Sequence, residues 1–301
     1  MGTTWKNRQC LVLIALAMLL QCVALILIPL LQDSKHTPKP QLKKPSVFIT
    51  AILRNNEPIL DHWTQQVLLL ANWLGHDQTF VSIYESESSD QSPMKLADFK
   101  DELRRLGIRH SIIIHGEGGQ GSEGRRIPKL ATLRNLALAP LSKLAEDGWT
   151  ADRVLFLNDI WFSWKDAVQL LQSNQGDYDA VCSMDFFGEY YDMFATREID
   201  RQWLGSGNYP YFRDTSSREL LQKGSLVPVY SCWGGMAAFQ AQPFLKNHLA
   251  FRALWPEVAN PPLDASECCL IYSNLWAINA HARVFLNPQI KVNAEPYLQP
   301  E

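Results

Sequence analysis

Strand-like and helix-like stretches alternate along most of this 301-residue chain, and that alternation limits its fold more than any other feature. Val47–Leu53 is a short apolar run rich in strand-forming residues. Glu57 and Pro58 then open a stretch whose apolar residues recur at helical spacing. The same succession recurs toward the C-terminus. It predicts an α/β domain in which helices cover a mostly parallel sheet.

The other predicted elements follow one another without an internal repeat. Strands are expected at 79–84, 111–114, 153–157 and 180–184, with strand-rich stretches at 227–239 and 283–292. Helices are expected at 95–106, 128–144, 166–171 and 266–280. In an open α/β sheet, ligands bind beyond the carboxyl ends of the strands. The residues at the predicted strand ends are therefore the first candidates for a functional site.

A long apolar run lies near the N-terminus. From Cys10 to Leu31 only Gln21 is polar. A helix of that length spans about 33 Å, enough for a hydrocarbon core of about 30 Å. A cleaved signal peptide is the alternative, but its apolar region runs to only about 7–15 residues and ends in a small-x-small site. We therefore expect residues 10–31 to be a retained transmembrane signal anchor.

The flanks of this run complete the expected organisation. Residues 1–9 would form a short tail, and residues 32–45, with three prolines, an extended stem. Residues 46–301 would form the working domain. Four lysines follow the run within the stem, whereas only Lys6 and Arg8 precede it. That count, taken alone, places the C-terminal side in the cytoplasm.

Charge and cysteine content exclude some classes of protein. The net charge of −3 argues against nucleic acid as a partner, because phosphate backbones are bound by clustered Lys and Arg. Six cysteines are too few for a disulfide scaffold. Cys182 and Cys232 would be able to pair in an oxidising compartment, but the sequence does not decide this. Cys268 and Cys269 lack the spacing of a metal site and are expected to pack in the core.

The fourth predicted strand ends in Asn158 and Asp159, where a short carboxylate follows an unbroken apolar run. Such a carboxylate either caps the next helix or holds a divalent metal ion. For a single instance the cap is the more common outcome. The metal becomes the better interpretation when neighbouring strand ends supply the other groups that a nucleotide-sugar needs.

Those groups are present in the sequence. Arg54 and Asn55 follow the first strand, and Glu85 at the second is placed to contact a ribose or a base. Arg134, before the fourth strand, would neutralise phosphate. Together with Mg²⁺ or Mn²⁺ at Asp159, these residues are the parts that bind a nucleotide-sugar and activate its leaving group.

A glycine-rich segment follows the third predicted strand. Gly116, Gly118 and Gly121 match G-x-G-x-x-G, which suggests a dinucleotide fold, but the motif follows the third strand rather than the first and no helix begins at once. A mobile loop is the better interpretation. Its basic residues, Arg125 and Arg126, would be able to close over a diphosphate.

The motifs, in their order along the chain, resemble a known family. They are R-N-N-E, S-I-Y-E-S-x-S-S-D, L-R-N, R-V-L-F-L-N-D-I-W-F, S-M-D-F, P-V-Y-S-C-W-G-G-M and S-E-C-C-L. This series is similar to the fungal CAP59/cryptococcal mannosyltransferase group, glycosyltransferase family 69, over roughly 47–292. The combination of R-V-L-F-L-N-D-I-W-F with Y-S-C-W-G-G-M carries most of the likeness.

The resemblance implies a fold, an activity and a location. Members are taken to be type II Golgi membrane enzymes with a Rossmann-like GT-A fold. They transfer mannose from GDP-mannose in α1,3 linkage. It therefore implies Mn²⁺ or Mg²⁺ as cofactor, GDP-mannose as donor and a glycan as acceptor. It also implies a lumenal domain, which overrides the lysine count.

The resemblance also suggests roles for individual residues. Asn158-Asp159 stands where GT-A enzymes carry Asp-x-Asp, but the position after Asp159 is Ile160, which cannot bind a metal. Asp159 is the expected metal ligand, and Asn158 is expected to face the ribose or a metal-bound water. Gly234 and Gly235 resemble the glycine loop that lets backbone approach the donor sugar.

The expected acceptor and catalytic groups lie later in the chain. Trp233, beside the two glycines, is the acceptor-stacking candidate. Glu267, in the first turn of a helix, is the expected catalytic or acceptor-orienting acid, and Asp185 is its competitor. Either acid is a possible nucleophile if configuration is retained by double displacement, and front-face attack is the alternative.

Two other functions stay open at this stage. One is a transferase that uses a different donor, such as a UDP-sugar. The other is a non-catalytic, membrane-anchored scaffold that keeps the fold, which the incomplete Asp-x-Asp motif permits. The presence of Glu85, Arg134 and Glu267 argues against the scaffold.

Overall fold

The computed structural model describes residues 44–118, 125–254 and 265–293. The expected membrane anchor at 10–31, the tail before it and nearly all of the stem lie outside the described residues. Within the described ranges, no helix is both long enough and apolar enough to cross a membrane.

Strands and helices alternate through the first half of the described chain. The strands are β1 (Val47–Leu53), β2 (Thr79–Ser86), β3 (Arg109–Gly116), β4 (Arg153–Leu157), β5 (Ala180–Phe187), β6 (Glu189–Tyr190), β7 (Arg197–Glu198), β8 (Val227–Ser231), β9 (Met236–Gln240) and β10 (Val284–Asn293). The α-helices are α1 (Glu57–Leu74), α2 (Ser92–Arg105), α3 (Arg126–Leu138), α4 (Pro140–Glu146), α5 (Trp164–Leu171), α6 (Thr215–Gln222), α7 (Gln242–Asn247) and α8 (Glu267–Ile278).

One mixed sheet organises these elements, in the order β3-β2-β1-β4-β9-β5-β10-β8-β7, with β6 paired to β5. The expectation of a mostly parallel sheet is correct only for its first half. There β3, β2, β1 and β4 are parallel neighbours, whereas β9 runs antiparallel to both β4 and β5. Because β9 lies between them, β4 and β5 point the same way and end at the same edge. That edge carries the candidate site.

Two apolar cores cover the two faces of the sheet. In β1, Val47 and Ile49 belong to the core formed with α1 and α2, whereas Phe48 belongs to the core on the opposite face. All three side chains are fully buried. A strand buried on both faces reads as a continuous apolar run, which is the pattern that predicted it.

The expected helix at 128–144 is two helices in the structure. α3 ends at Leu138 and α4 begins at Pro140. Proline lacks a backbone N–H and cannot donate the next hydrogen bond of a helix, so it starts a helix more readily than it continues one. Pro140 therefore divides a stretch whose apolar pattern is continuous.

Candidate functional site

The end of β4 is held in place by contacts from three directions. The Asn158 amide donates to the carbonyl of Gly235 over 2.9 Å, and Trp63 donates its Nε1–H to the Asn158 carbonyl over 3.0 Å. The Asn158 side-chain oxygen accepts from Trp233 Nε1 at 3.1 Å and lies 3.5 Å from Arg134 Nη1. Asn158 is therefore fixed by the glycine loop, α1 and α3 together.

Asp159, the next residue, is exposed at this edge. Its Oδ2 accepts from Asn56 Nδ2 over 3.0 Å. Asn56 in turn accepts from the Arg54 amide over 2.7 Å, and its own amide donates to the Ser92 hydroxyl over 2.7 Å. Asn56, which the sequence analysis did not single out, thus orients the carboxylate that was expected to bind metal.

Asn55 points elsewhere. Its backbone has a positive φ of 55°, and its side-chain oxygen accepts from the Ser89 amide over 2.8 Å. Its own amide donates to the Ser88 hydroxyl over 3.0 Å. Asn55 therefore ties the end of β1 to the loop after β2, while its neighbours Arg54 and Asn56 line the site.

A cavity of about 520 Å³ opens between β1, β4 and α3. It is lined by Ile52, Leu53, Arg54, Asn56, Ser86, Arg126, Lys129, Leu130, Leu133, Arg134, Asn158 and Asp159. Four of these side chains are cationic, and Asp159 is the one carboxylate among them. Arg and Lys clusters are the usual ligands of phosphate groups, because their hydrogen bonds to anionic oxygens are charge-assisted. The cavity therefore suits a ligand with several negative charges.

Arg134 is buried at the inner end of this cavity. Its Nε donates to Glu267 Oε1 over 3.1 Å, and its guanidinium lies 4.5 Å from the Trp233 ring centroid and 5.6 Å from that of Phe251. Burial alone lowers the pKa of Arg134, but neighbouring groups, including the Glu267 and Asp159 carboxylates, raise it overall. Arg134 is therefore a permanent cation with one face on an aromatic ring.

Glu267 reaches Arg134 from the first turn of α8. It is buried, and the helix is capped by Ser266, whose hydroxyl accepts from the Cys268 amide over 3.2 Å. Cys268 also donates its thiol to Glu267 Oε1 over 3.3 Å. The Glu267 carboxylate therefore bonds to Arg134 and to Cys268 of its own helix. Whether it also acts on the acceptor stays a prediction.

Asp185, the competing acid, has no ion-pair partner of this kind in the part of the chain that the structure describes. It is 5 % exposed, and its Oδ1 has no hydrogen-bond partner among the described residues. Burial and the nearby charges of Asp192 and Asp159 raise the pKa of Asp185 to about 8. An unpaired buried carboxyl oxygen is costly in a structural position and common at functional sites.

Asp192 is a carboxylate of the same site that the sequence analysis missed. Its Oδ2 accepts from the Gly234 amide over 2.5 Å. Burial raises the pKa of Asp192 to about 6, against the lowering effects of that hydrogen bond and of Arg134. It lies in a short 3-10 turn, Asp192–Phe194, after an aromatic stretch rather than at the end of an apolar strand, so the search at strand ends did not mark it.

The glycine loop is required by packing within the chain. Gly234 and Gly235 have φ values of 57° and 74°. A Cβ at Gly234 would lie 1.8 Å from the carbonyl oxygen of Ser183, and one at Gly235 would lie 2.9 Å from Ile160 and from Val292. The loop therefore sits directly against β5. The expected role of these glycines toward a donor sugar stays a prediction.

Trp233 and Glu85 are more enclosed than their expected roles suggest. Trp233 is 2 % exposed and packs between Arg134 and Phe156, so an acceptor sugar reaches no free face of its ring in this conformation. Glu85 is fully buried, and its two carboxylate oxygens accept from the amides of Ser88 and His115. Both side chains therefore stabilise the loops and strands around the site.

Four cysteines lie near the site, two of them bonded and two free. Cys182 and Cys232 form a disulfide with a Cα–Cα distance of 6.0 Å, which ties β5 to the segment that carries Trp233. Cys268 and Cys269 are buried free thiols, as expected for core residues. Arg126, predicted to face a diphosphate, lines the cavity from the first turn of α3.

Comparison with known proteins identifies relatives over most of the chain. The family described as "Cryptococcal mannosyltransferase 1" matches residues 46–274. The α-1,3-mannosyltransferase CMT1 of Cryptococcus neoformans is 26 % identical over 268 residues, covering 81 % of this chain and 57 % of the relative. The chain therefore spans a little over half the length of this curated relative.

Solved structures with a similar fold include two glycosyltransferases. Mannosyltransferase PcManGT from Pyrobaculum calidifontis, in complex with GDP-Man and Mn²⁺, has a TM-score of 0.51 and 13 % identity, covering 87 % of this chain and 60 % of that one. GalNAc-T7 with UDP, GalNAc and Mn²⁺ has a TM-score of 0.53 and 11 % identity, covering 84 % and 44 %. At these identities the likeness concerns the fold, a mixed α/β sheet shared with GT-A glycosyltransferases.

Proposed function

The chain belongs to the cryptococcal mannosyltransferase 1 family, and we propose that it is a glycosyltransferase that moves mannose from GDP-mannose to a glycan acceptor in α1,3 linkage. A bound divalent metal, Mn²⁺ or Mg²⁺, would assist the departure of the diphosphate. The names of the family and of CMT1 support the sugar and the linkage. The site supports the class of donor.

One observation carries this proposal: the cavity at the ends of β1 and β4, where four cations face one carboxylate. A nucleoside diphosphate leaving group brings two phosphates, and its departure leaves additional negative charge on their oxygens. Preorganised cations stabilise such developing charge without reorganisation during the reaction. Arg134, Arg126 and Lys129 are placed to do this on one side of the cavity.

The donor set of the cavity fits a metal only in combination with the substrate. Within the described ranges, no three His, Cys, Asp or Glu side chains come together as a metal site. Asp159 alone offers an exposed carboxylate in the cavity, and Asn56 fixes its Oδ2. Mg²⁺ is commonly held by one or two carboxylates together with substrate phosphates. We therefore assign Asp159 as the protein ligand of a diphosphate-dependent metal ion, which would neutralise phosphate charge when bound.

Arg134 and Glu267 act as a unit in this proposal. Glu267 holds Arg134 by an ion pair, and Trp233 supports the guanidinium from one face. The guanidinium is thus positioned toward Asn158 and the cavity before the donor arrives. Glu267 is then a positioning residue, and its role as nucleophile is the less favoured of the two that the sequence left open.

Asp185 is the better candidate for the catalytic acid. Its Oδ1 has no hydrogen-bond partner in the described part of the chain, and the charge of Asp159, at the end of β4, contributes to the raised pKa of Asp185. In a retaining transfer its ionised form would either form a covalent intermediate or stabilise an oxocarbenium-like state, so Asp185 would first have to lose the proton that its raised pKa retains in the ligand-free protein. Asp192 would influence the protonation of Asp185 during the reaction, since its negative charge raises the pKa of Asp185.

The remaining parts of the proposal concern the whole protein. Residues 10–31 would anchor it in a Golgi or other secretory membrane as a single-pass type II protein, with residues 1–9 in the cytoplasm. Residues 32–45 would form the stem and residues 46–301 the lumenal catalytic domain. The disulfide between Cys182 and Cys232 supports an oxidising compartment, because cytosolic thiols are kept reduced.

The direct test is a thermal-shift comparison of GDP-mannose, GDP and UDP-sugars, each with and without Mn²⁺, followed by a transfer assay with labelled GDP-mannose. A ligand that binds the native state raises its melting temperature. We expect GDP-mannose with Mn²⁺ to give the largest rise. A larger rise with a UDP-sugar would change the donor, and no rise with any nucleotide-sugar would favour the non-catalytic scaffold.

A further inference from the structure

The segment after β5 exposes an unusual number of aromatic rings. Phe187, Tyr191, Phe194, Trp203 and Tyr209 are 49 %, 60 %, 47 %, 50 % and 59 % exposed. Within the described ranges, the strongly exposed aromatic side chains all lie in this one segment, 187–209. Exposed apolar surface that is concentrated in one place marks an interaction site more often than scattered exposure does.

Four of these rings form two pairs. The Phe187 and Tyr191 ring centroids are 6.0 Å apart, and those of Phe194 and Trp203 are 5.8 Å apart. The second pair is supported from below, since the Arg197 guanidinium lies 3.2 Å from the Trp203 ring centroid. Arg197 is itself held by three backbone carbonyls of the same segment. The Phe194–Trp203 pair is therefore held in place while both of its rings stay about half exposed.

The two pairs flank the candidate catalytic carboxylates. Tyr191 directly precedes Asp192 and donates its amide to the Asp185 carbonyl over 2.9 Å. Phe194 ends the short turn that begins with Asp192. The Asp192 carboxylate accepts from Gly234 in the glycine loop. Short chain connections and these hydrogen bonds therefore link the aromatic surface, formed by Phe187, Tyr191, Phe194 and Trp203, to Asp185 and Asp192.

We propose that this aromatic surface binds the glycan acceptor and directs its hydroxyl toward Asp185 and Asp192. The inference rests on the proposed transferase function, which needs a second substrate site outside the cationic cavity. Exposed Tyr and Trp rings offer rigid, flat contact area that matches the apolar face of a hexose ring. The same segment also exposes polar side chains (Glu189, Asp200, Arg201 and Gln202), which would suit the hydroxyl groups around a sugar.

A second copy of this chain is the competing occupant. The polar residues within the segment argue against it, because the core of a stable homodimer interface is depleted of charged residues. The observations therefore favour a sugar chain over a protein surface.

The test uses the full-length chain and an α-linked mannotriose as probe, with binding measured by saturation-transfer NMR and calorimetry. Tyr191→Ala should weaken mannotriose binding at least fivefold, and Tyr191→Phe, which keeps the ring, should retain it. The double variant Phe187→Ala/Tyr191→Ala should lose binding. Leu69→Ala, an exposed apolar residue on α1, is the matched control and should bind as the wild type does.

The outcomes separate this inference from the proposed function. GDP with Mn²⁺ should stabilise Tyr191→Ala as well as the wild type, because the ring does not line the cationic cavity. Equal mannotriose affinity in the wild type and in the double variant, or no binding by the wild type, overturns the acceptor surface. Dissociation of a dimer in the double variant, with mannotriose affinity unchanged, would identify a self-association surface instead. Mannotriose binding that depends on Tyr191, without any GDP binding, would support the acceptor surface. It would contradict the proposal that GDP-mannose is the donor.

Discussion

Arg134 and Glu267 are separated by 133 positions in the sequence, and yet they form a buried ion pair with an Nε–Oε1 distance of 3.1 Å. The pair joins α3 to the start of α8 beneath the cationic cavity. Removing one partner of a buried pair leaves an uncompensated charge, which typically costs about 3–5 kcal/mol. This relationship distinguishes the role of Glu267 from that of Asp185.

Glu267→Gln and Asp185→Asn should therefore differ in their effects on stability, KM and kcat. We expect Glu267→Gln to lose about 3 kcal/mol of stability and to raise KM for the donor, because Arg134 loses its counter-charge. Asp185→Asn should keep donor affinity and lower kcat by about 100-fold or more, as loss of a positioned acid or base does. Melting temperature and steady-state kinetics, measured together, check both. A normal Asp185→Asn beside a Glu267→Gln that loses only kcat would reverse the assignment.

Asp159→Ala should remove the Mn²⁺-dependent part of the stabilisation by GDP and abolish transfer, because Asp159 is the metal ligand we assign. Its apo melting temperature should stay within a few degrees of wild type, since the carboxylate is exposed. Asp61→Asn, which changes an exposed carboxylate paired with Lys95, is the matched control. Full activity of Asp159→Asn, or of the wild type in excess EDTA, would exclude the metal role and leave Asp159 as a structural residue.

Lys129→Ala should weaken GDP binding about tenfold or more, since a hydrogen bond to a charged group contributes about 1.5–3 kcal/mol. Lys129 also pairs with Glu87, so part of its charge is shared before the donor binds. Lys143→Ala removes an exposed lysine from α4, away from the cavity, and should have no effect. Calorimetry with GDP and Mn²⁺ measures both variants, and equal losses would point to general electrostatics.

The contribution of Asp185 to the stability of the ligand-free protein should fall as pH rises from about 4 to about 8. In this window an unfolded Asp185 is ionised, with a pKa near 3.8, whereas the folded one keeps its proton up to a pKa of about 8. Unfolding therefore releases a proton, and the slope approaches about 1.4 kcal/mol per pH unit for this group. Asp192 contributes in the same direction below about pH 6.

Asp185→Asn isolates the Asp185 contribution to this pH dependence. Denaturant unfolding at several pH values should show the variant gaining stability relative to wild type as pH rises, with the difference levelling off above about pH 8. A constant difference across that range would mean that the folded Asp185 titrates normally.

Residues 45–301 expressed alone, without residues 1–44, should form a soluble, folded and active domain. The two cores draw their residues from 47–292, so the shortened chain retains every described core contact. Transfer activity and circular dichroism of this fragment, compared with the full-length protein in detergent, provide the measurement. Aggregation of the fragment beside an active full-length protein would show that the N-terminal residues belong to the fold.

Several elements follow from the sequence because their cause is local. The apolar runs at β1 and β4 appear in the structure with the predicted bounds, since strands buried on both faces need a continuous apolar sequence. Asn158 and Asp159 were found because a polar pair that ends such a run stands out. The resemblance to the cryptococcal mannosyltransferase family is carried by these same strand ends, and the match over 46–274 confirms it.

Other features depend on contacts between distant segments. The antiparallel insertion of β9 between β4 and β5, the pairing of Glu267 with Arg134 and the approach of Asp192 to Gly234 all join residues from separate parts of the chain. A sequence pattern reports the burial and backbone preference of each segment but not which segments meet. The sequence by itself therefore determined the strand ends that bear the chemistry. Only the tertiary structure decided which carboxylate is paired and which is left free, because that depends on the packing of α8 and the β5 loop around one edge of the sheet.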